Sequence, residues 1–321
     1  MAPHIPLLFG TMTMGAPGKN GVRNDDLKEC QGIIDTFFKF GHREIDTARM
    51  YAEGTTEEYL AQLDLKDATI DTKVYPYKPG VHEPSSLRSH FLASLKALNR
   101  KKVRVFYLHA PDRSVPFEDT VREVNKLYQE GLFEIFGLSN YAAWEVAEIV
   151  SICKANGWVQ PGIYQAMYNA ITRAIEPELV PMCRKYGIRI VIYNPLAGGF
   201  FAGKVASVAD EAPKGGRFDP SSPQGQMYRK RYLNEGYFKA LEVIKSVADK
   251  NNLRLTEIAL RWVQHHSLLI PSDGVILGAS SAAQLVQNCE DSEKGPLPQD
   301  VLDALDEAWS VVMSRAPTYW R

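Results

Sequence analysis

The sequence predicts one (β/α)8 barrel, and three observations lead there. Near-continuous apolar runs at 103–108 (VRVFYL) and 188–193 (IRIVIY) have the character of strands buried on both faces. Segments with apolar residues at helical spacing lie between such runs. The strand-plus-helix unit also repeats, with strand ends at Asp46, Lys73, His109, Ser139, Gln165 and Tyr193 at intervals of roughly 26–36 residues. Alternating strands and helices imply a parallel sheet, and six or more uninterrupted units favour a closed barrel of ~250 residues over an open, doubly wound sheet. A length of 321 residues suits one large domain or two ordinary ones, and the unbroken rhythm reads as a single domain over 1–321.

Each element follows in order. A strand ends at Asp46, and weaker candidates cover 68–74, 133–139 and 159–165. Leu87, Phe91, Leu95 and Leu98 mark one helix face, and Ala143, Val146, Val150 and Cys153 another. Pro84 and Pro116 suit first helical turns, and Gly131 suits a helix stop. Residues 200–235 break the rhythm with Gly, Pro, Ser and mixed charge, which reads as one long loop. Helical patterns resume near Tyr237 and at 256–265, and the barrel closes on a strand at 274–278. A tail from about 298 adds a last helix and an aromatic, basic terminus.

Composition narrows the function. With 37 basic and 38 acidic side chains, the net charge of −1 argues against a nucleic-acid binder. Cys30, Cys153, Cys183 and Cys289 stand too far apart for a zinc ribbon or a redox pair, and read as reduced, buried thiols of a cytoplasmic protein. The first residues lack the features of a signal peptide, and no apolar run approaches the ~20 residues of a membrane helix, so no membrane partner is expected. His265 and His266 lack the spacing of a zinc-binding helix and read as helix surface, so no metal is expected.

In a barrel the C-terminal strand ends carry the chemistry. Here they present an acid, a lysine, a histidine, Ser-Asn, a glutamine and Tyr-Asn, with Tyr51 five residues beyond Asp46. A phenol titrates near 10, too high for an efficient acid at neutral pH. A neighbouring ammonium lowers that value, and a carboxylate holds the ammonium charged and oriented. Asp46, Tyr51, Lys73 and His109 would together protonate an oxyanion as it forms on a carbonyl that receives hydride. Residues 198–205 (GGFFAGKV) nearly match a P-loop, but Val205 cannot supply the hydroxyl that holds Mg²⁺. What survives is a glycine-rich turn with Lys204, suited to cradling a diphosphate. No G-x-G-x-x-G occurs, so a Rossmann site has no support.

These residues resemble the aldo-keto reductase superfamily. Residues 41–48 (GHREIDTA) with Tyr51 are similar to its strand-2 signature, and Thr72-Lys73 and Leu108-His109 to its Lys and His segments. Residues 137–140 (GLSN), Gln165, 193–199 (YNPLAGG) and 280–288 (SSAAQLVQN) follow in the same order. Residues 12–15, 194–199 through Lys204, 216–218, 228–232, 262–266 and 317–321 are most similar to the aflatoxin-aldehyde reductase branch, family 7. The resemblance implies NADPH-dependent reduction of aromatic aldehydes, dialdehydes and carboxylate-bearing aldehydes such as succinic semialdehyde to alcohols, and a homodimer. It implies a catalytic tetrad of Asp46, Tyr51, Lys73 and His109. Around the nicotinamide it places Ser139, Asn140, Gln165 and Tyr193. Further cofactor contacts would be Asn194, Leu196, Gly198, Lys204 and Arg217, then Gly278, Ser280, Gln284, Gln287 and Asn288. Tyr228, Arg231 and Arg321 would contact substrate.

Gly278 and Gln284 stand where many superfamily members carry a Lys and an Arg that help hold the 2′-phosphate, and Phe200-Phe201 replaces an aliphatic pair. One alternative is an NADPH-binding regulatory subunit with little turnover, since the potassium-channel β-subunits resemble the same superfamily. Another is a barrel lyase or isomerase using Lys73 as a Schiff base.

Overall fold

The computed structural model describes residues 4–203, 205 and 216–321. Eight parallel strands close on themselves in sequence order: β1 (Leu7–Gly10), β2 (Glu44–Asp46), β3 (Thr69–Val74), β4 (Val103–Leu108), β5 (Phe133–Ser139), β6 (Pro161–Met167), β7 (Arg189–Tyr193) and β8 (Gly274–Gly278). Around them lie α1 (Leu27–Lys39), α2 (Thr55–Leu60), α3 (Pro84–Ala97), α4 (Phe117–Gln129), α5 (Ala143–Asn156) and α6 (Leu179–Tyr186). The C-terminal third adds α7 (Pro223–Tyr232), α8 (Glu235–Lys250), α9 (Leu255–His265), α10 (Ala282–Ser292) and α11 (Gln299–Val312). This is the expected (β/α)8 barrel with its C-terminal helix.

Local chemistry sets the helix ends. Asp26 caps α1 by accepting from the backbone N–H of Lys28 and Glu29. Pro84 opens α3, whereas Pro116 sits one residue earlier than expected, as the N-cap of α4. Gly131 takes φ +72° just past α4, where a residue with a side chain is disfavoured. The layer between strands and helices is aromatic and aliphatic: the Phe91 ring stacks on Phe106 at 4.1 Å, and Phe133 meets both edge-on or tilted. All four cysteines are free and buried.

Two elements differ from expectation. β1 carries only four residues, LLFG, too few to show a period of its own; its pairing with β2 and with β8 closes the barrel. The stretch expected as a loop from 200 to 235 contains the whole of α7. That helix has no apolar stripe. Its start is fixed by Pro223 and by Ser222, which accepts from Gly225 N–H, and its Tyr228 and Tyr232 bury against other rings, Tyr232 within 5.3 Å of Tyr237. His265 and His266 are half-buried rather than free surface, tied to the Lys294 carbonyl and the Leu297 N–H.

Inside the barrel the N-terminal strand ends are plugged by ion pairs. Arg104 grips Asp71 through two hydrogen bonds of 2.9 and 2.5 Å and reaches Glu44 at 2.7 Å. Arg189 pairs with the same Glu44 at 3.1 Å, and Arg184, on α6 around the strands, pairs with Asp273 just before β8. Burial pushes the Asp71 carboxyl up to about 6 despite Arg104. Above this plug, Leu8, Val105, Tyr107, Ile163, Val191 and Ile276 fill the barrel. Tyr107 needs the bare backbone of Gly137, since a Cβ there would overlap its ring. The tail folds back over the opposite end: Tyr319 donates to Glu178 at 2.6 Å and accepts from Ala143 N–H, and Arg321 N–H reaches the Asn140 carbonyl at 3.0 Å. Among the described residues no helix is long and apolar enough to cross a membrane.

Candidate active site

At the C-terminal ends of β2 and β3, Lys73 Nζ donates to Asp46 Oδ2 at 2.6 Å and to the Thr47 carbonyl at 2.7 Å. Gln165 Nε2, from β6, takes the other Asp46 oxygen at 2.7 Å. Both charged side chains are buried, and a buried ion pair is tolerable only when its remaining hydrogen-bonding positions are filled in this way. Tyr51 opens a tight turn in which Ala52 and Glu53 adopt φ of +46° and +56°, unusual for residues with side chains. The turn returns the ring to within 5.3 Å of Lys73 Nζ. His109, just past β4, lies edge-on to Tyr51 at 6.0 Å and to Tyr75 at 5.4 Å. The four residues picked as catalytic therefore meet at one point.

Their electrostatics differ from expectation in one respect. The Tyr51 phenol is pushed well above its ordinary value, not lowered, chiefly by burial and then by the Asp46 carboxylate. The Lys73 charge is already committed to Asp46 and the Thr47 carbonyl, so its pull on the phenol does not prevail. Tyr51 is thus held as a protonated donor. Burial, Lys73 and Arg321 push His109 well below 6.5, which makes it a neutral imidazole. Among the described residues its buried Nδ1 has no hydrogen-bond partner.

Asn140 joins the wall together from a left-handed backbone, φ +62°. Its Nδ2 donates to the His109 carbonyl at 2.8 Å and to Ser139 Oγ at 3.0 Å, while its Oδ1 accepts from Tyr193 Oη at 3.2 Å. Ser139 is fully buried behind this wall.

A cavity of about 1110 Å³ opens in front of these groups, just above the range of ordinary ligand pockets, roughly 300–1,000 Å³. Asp46, Tyr51, His109, Asn140, Gln165 and Tyr193 line one part of it; Lys73 lies behind them. Asn194, Leu196 and Gly198 line the middle. Gly278, Ser280, Gln284, Gln287 and Asn288 line the part beside β8 and α10. Gln284 Oε1 is held by Ser280 N–H and Oγ, both at 3.0 Å. Lys204 lies outside the described residues.

Arg217, Tyr228, Arg231 and Arg321 line the same cavity. The Tyr228 ring covers Gly198, whose φ is +68°, so closely that a Cβ at 198 would overlap it. Arg217 and Arg231 lie against this ring at 5.2 and 5.4 Å, and Arg321 lies 6.0 Å from the Tyr75 ring.

Among the lining residues that the sequence reading missed are Tyr75, Met12 and Arg23. Tyr75 stands two positions beyond Lys73, where the strand-end rule should have caught it. Met12 and Arg23 sit on the loop after β1, a strand that was itself not recognised.

The cavity suits a dinucleotide of the nicotinamide type. It is long, its middle has glycine backbone that a ligand can approach, its wall carries guanidiniums, and one part holds a buried proton donor beside a neutral imidazole. The aldo/keto reductase family model matches residues 6–310. An aldo-keto reductase of Pseudocercospora fijiensis (strain CIRAD86) is 45% identical over 296 residues, 90% of this chain and 100% of that protein. Aflatoxin B1 aldehyde reductase member 2 of Mus musculus is 42% identical over 98% of this chain and 87% of its own length. Aldo-keto reductase family 7 member A3 of Homo sapiens is 42% identical over 98% and 96%. With a closed eightfold barrel, the Asp–Tyr–Lys–His cluster at its mouth and these relatives along nearly its whole length, the chain belongs to the aldo/keto reductase family of oxidoreductase enzymes.

Proposed function

We propose that the protein is an NADPH-dependent aldehyde reductase acting on aromatic aldehydes, dialdehydes and carboxylate-bearing aldehydes such as succinic semialdehyde. The observation that carries this reading is Tyr51, protonated and facing the cavity beside the buried Lys73–Asp46 pair. When bound, a reduced nicotinamide would supply a hydride to the carbonyl carbon. Tyr51 Oη gives its proton to the oxygen that becomes anionic, and Lys73 stabilises the phenolate left behind. Asp46 holds Lys73 charged, and Gln165 holds Asp46. His109, neutral, donates one N–H to the carbonyl oxygen and orients it.

Ser139, Asn140 and Gln165 would shape the seat of the nicotinamide carboxamide, and Tyr193 would stack on its ring. Asn194, Leu196, Gly198, Lys204 and Arg217 would follow the diphosphate; Gly278, Ser280, Gln284, Gln287 and Asn288 would follow the adenosine. Arg231 and Arg321, with Tyr228, would bind a substrate carboxylate through charge-assisted hydrogen bonds. The preference for NADPH over NADH rests on the resemblance alone. A cytoplasmic location is supported by four buried, unpaired thiols. A homodimer rests on the resemblance alone.

The test is a steady-state screen of NADPH and NADH oxidation with 4-nitrobenzaldehyde, a dialdehyde and succinic semialdehyde. Turnover with NADPH and a lower KM for succinic semialdehyde are expected. Tightly retained NADPH with negligible turnover on all three would defeat the reductase reading and support a regulatory subunit.

A further inference from the structure

Arg49, Glu57 and Thr72 have no part in the chemistry above, yet they form a cluster of their own behind Tyr51. Glu57, on α2, is fully buried, and Arg49 is half-buried. Glu57 Oε2 accepts from Arg49 Nη1 at 2.5 Å, and its Oε1 accepts from Thr72 Oγ1 at 2.6 Å. Burial raises the Glu57 carboxyl, and the contacts with Thr72 and Arg49 work against that rise. A buried carboxylate is tolerated when its oxygens are filled in this way.

The cluster touches both parts of the chain that set the place of the Tyr51 phenol. The first is the turn at 51–54, where the left-handed Ala52 and Glu53 are followed by Gly54 at φ +98°. Residues with side chains keep such a backbone only where their surroundings over-determine it. Arg49 does much of this. Its Nη2 lies 1.8 Å from where a Cβ of Gly54 would stand, so the guanidinium fills the space that a side chain at 54 would take. Thr55 Oγ1 braces the same turn, donating to the Ala52 carbonyl at 2.8 Å and accepting from Ala16 N–H at 3.0 Å. The second part is β3. Arg49 N–H donates to the Lys73 carbonyl at 3.0 Å. Thr72 and Lys73 are successive strand residues and face opposite sides. Lys73 therefore reaches Asp46 inside the barrel while Thr72 reaches Glu57 on the side of the helices. One buried carboxylate thus ties the turn that carries the phenol to the strand that carries the ammonium.

We propose that Arg49 and Glu57 are positioning residues for proton transfer: their ion pair, anchored on β3 through Thr72, holds the turn at 51–54 so that Tyr51 stays aimed beside Lys73 and His109. The proposal rests on the reading of Tyr51 as proton donor and adds how that donor is aimed. Neither Arg49 nor Glu57 is among the residues lining the cavity, so both act through the turn.

The experiment is a double-mutant cycle between positions 57 and 51. Single-turnover rates of NADPH oxidation with 4-nitrobenzaldehyde, NADPH dissociation constants and melting temperatures are measured for wild type, Glu57→Gln, Tyr51→Phe and the double variant, with the rates taken well below each melting temperature. Glu57→Gln keeps an acceptor for Thr72 but removes the charge that holds Arg49. A small misplacement of a reacting group slows chemistry severely, so Glu57→Gln should lower the rate about 10-fold or more with NADPH binding unchanged. In the Tyr51→Phe background the same substitution should change the rate less than about 2-fold, because its effect passes through the phenol. Arg49→Lys, which keeps the charge opposite Glu57, should lose less than Glu57→Gln and again only where Tyr51 is present. It carries the cycle should Glu57→Gln not fold.

A wild-type rate in Glu57→Gln overturns the proposal. An equal loss in both backgrounds overturns it too, since the pair would then be structural. So does a loss matched by weakened NADPH binding, which would place the effect in the groove rather than at the proton donor. A wild-type rate in Tyr51→Phe defeats the proton-donor reading and this proposal together, whereas a slow Tyr51→Phe with additive losses defeats this proposal alone.

Discussion

The two ends of the barrel treat charge in opposite ways. At the N-terminal strand ends, Arg104, Arg184 and Arg189 are each paired with Glu44, Asp71 or Asp273. At the mouth, Arg217 and Arg231 rest on the Tyr228 ring, and burial and the charge of Arg217 lower the value of Arg23. The lower charges satisfy one another, so their energy goes into closing the barrel. The upper ones are incomplete, as expected of charges held for a ligand. Lys73–Asp46 stands between the two classes, since it is paired like the plug yet borders the cavity.

Lys73→Met tests that overlap and should have the largest effect. It strands the Asp46 carboxylate in a buried site, which costs about 3–5 kcal/mol of stability, and it removes the cation behind Tyr51. Both the denaturation midpoint and kcat should fall. A drop in only one of them would move Lys73 wholly into one class.

Arg104→Met comes next. Leaving Asp71 and Glu44 without this partner should cost a similar ~3 kcal/mol or more, read by urea denaturation. The NADPH dissociation constant should hold. Weakened cofactor binding would show that the plug and the mouth are coupled.

A pH effect follows from Asp71. Its folded-state value of about 6 lies above the ordinary 3.8, so between roughly pH 4 and 6 the folded protein binds more protons than the unfolded chain. The stability contributed by this group therefore falls as pH rises through that window. The wild-type advantage at pH 5 over pH 7 should shrink in Asp71→Asn, as measured by denaturation midpoints. An unchanged difference would mean that Arg104 holds Asp71 ionised throughout.

The smallest effect is expected at the tail. Arg321→Ala should raise KM for succinic semialdehyde about 10-fold by removing a charge-assisted hydrogen bond, and leave 4-nitrobenzaldehyde unaffected. An equal rise for both would show that the tail shapes the cavity rather than binding a carboxylate.

The contrast also explains what could be read from the chain. β4, β5 and β8 match their expected bounds because strands packed on both faces are apolar at most positions. β1 escaped because four residues carry no rhythm, and Met12 and Arg23 on the following loop escaped with it. α7 escaped because its burial comes from two tyrosines on a polar helix. The ion-pair plug was invisible since its partners lie on separate strands, and only closure brings Glu44 to both Arg104 and Arg189. Asp46, Tyr51, Lys73 and His109 were legible from their positions after successive strands. The direction of the Tyr51 shift was not, because it depends on how fully Lys73 is occupied by Asp46 and Thr47.

The central claim, that Tyr51 is the proton donor at a cavity built for nicotinamide-dependent reduction, is tested most directly by Tyr51→Phe. NADPH oxidation with 4-nitrobenzaldehyde and NADPH binding should be measured on the same preparations. Removing a general acid should lower kcat about 100-fold or more, while the NADPH dissociation constant and the melting temperature stay at wild-type values. Wild-type turnover in Tyr51→Phe would contradict the claim.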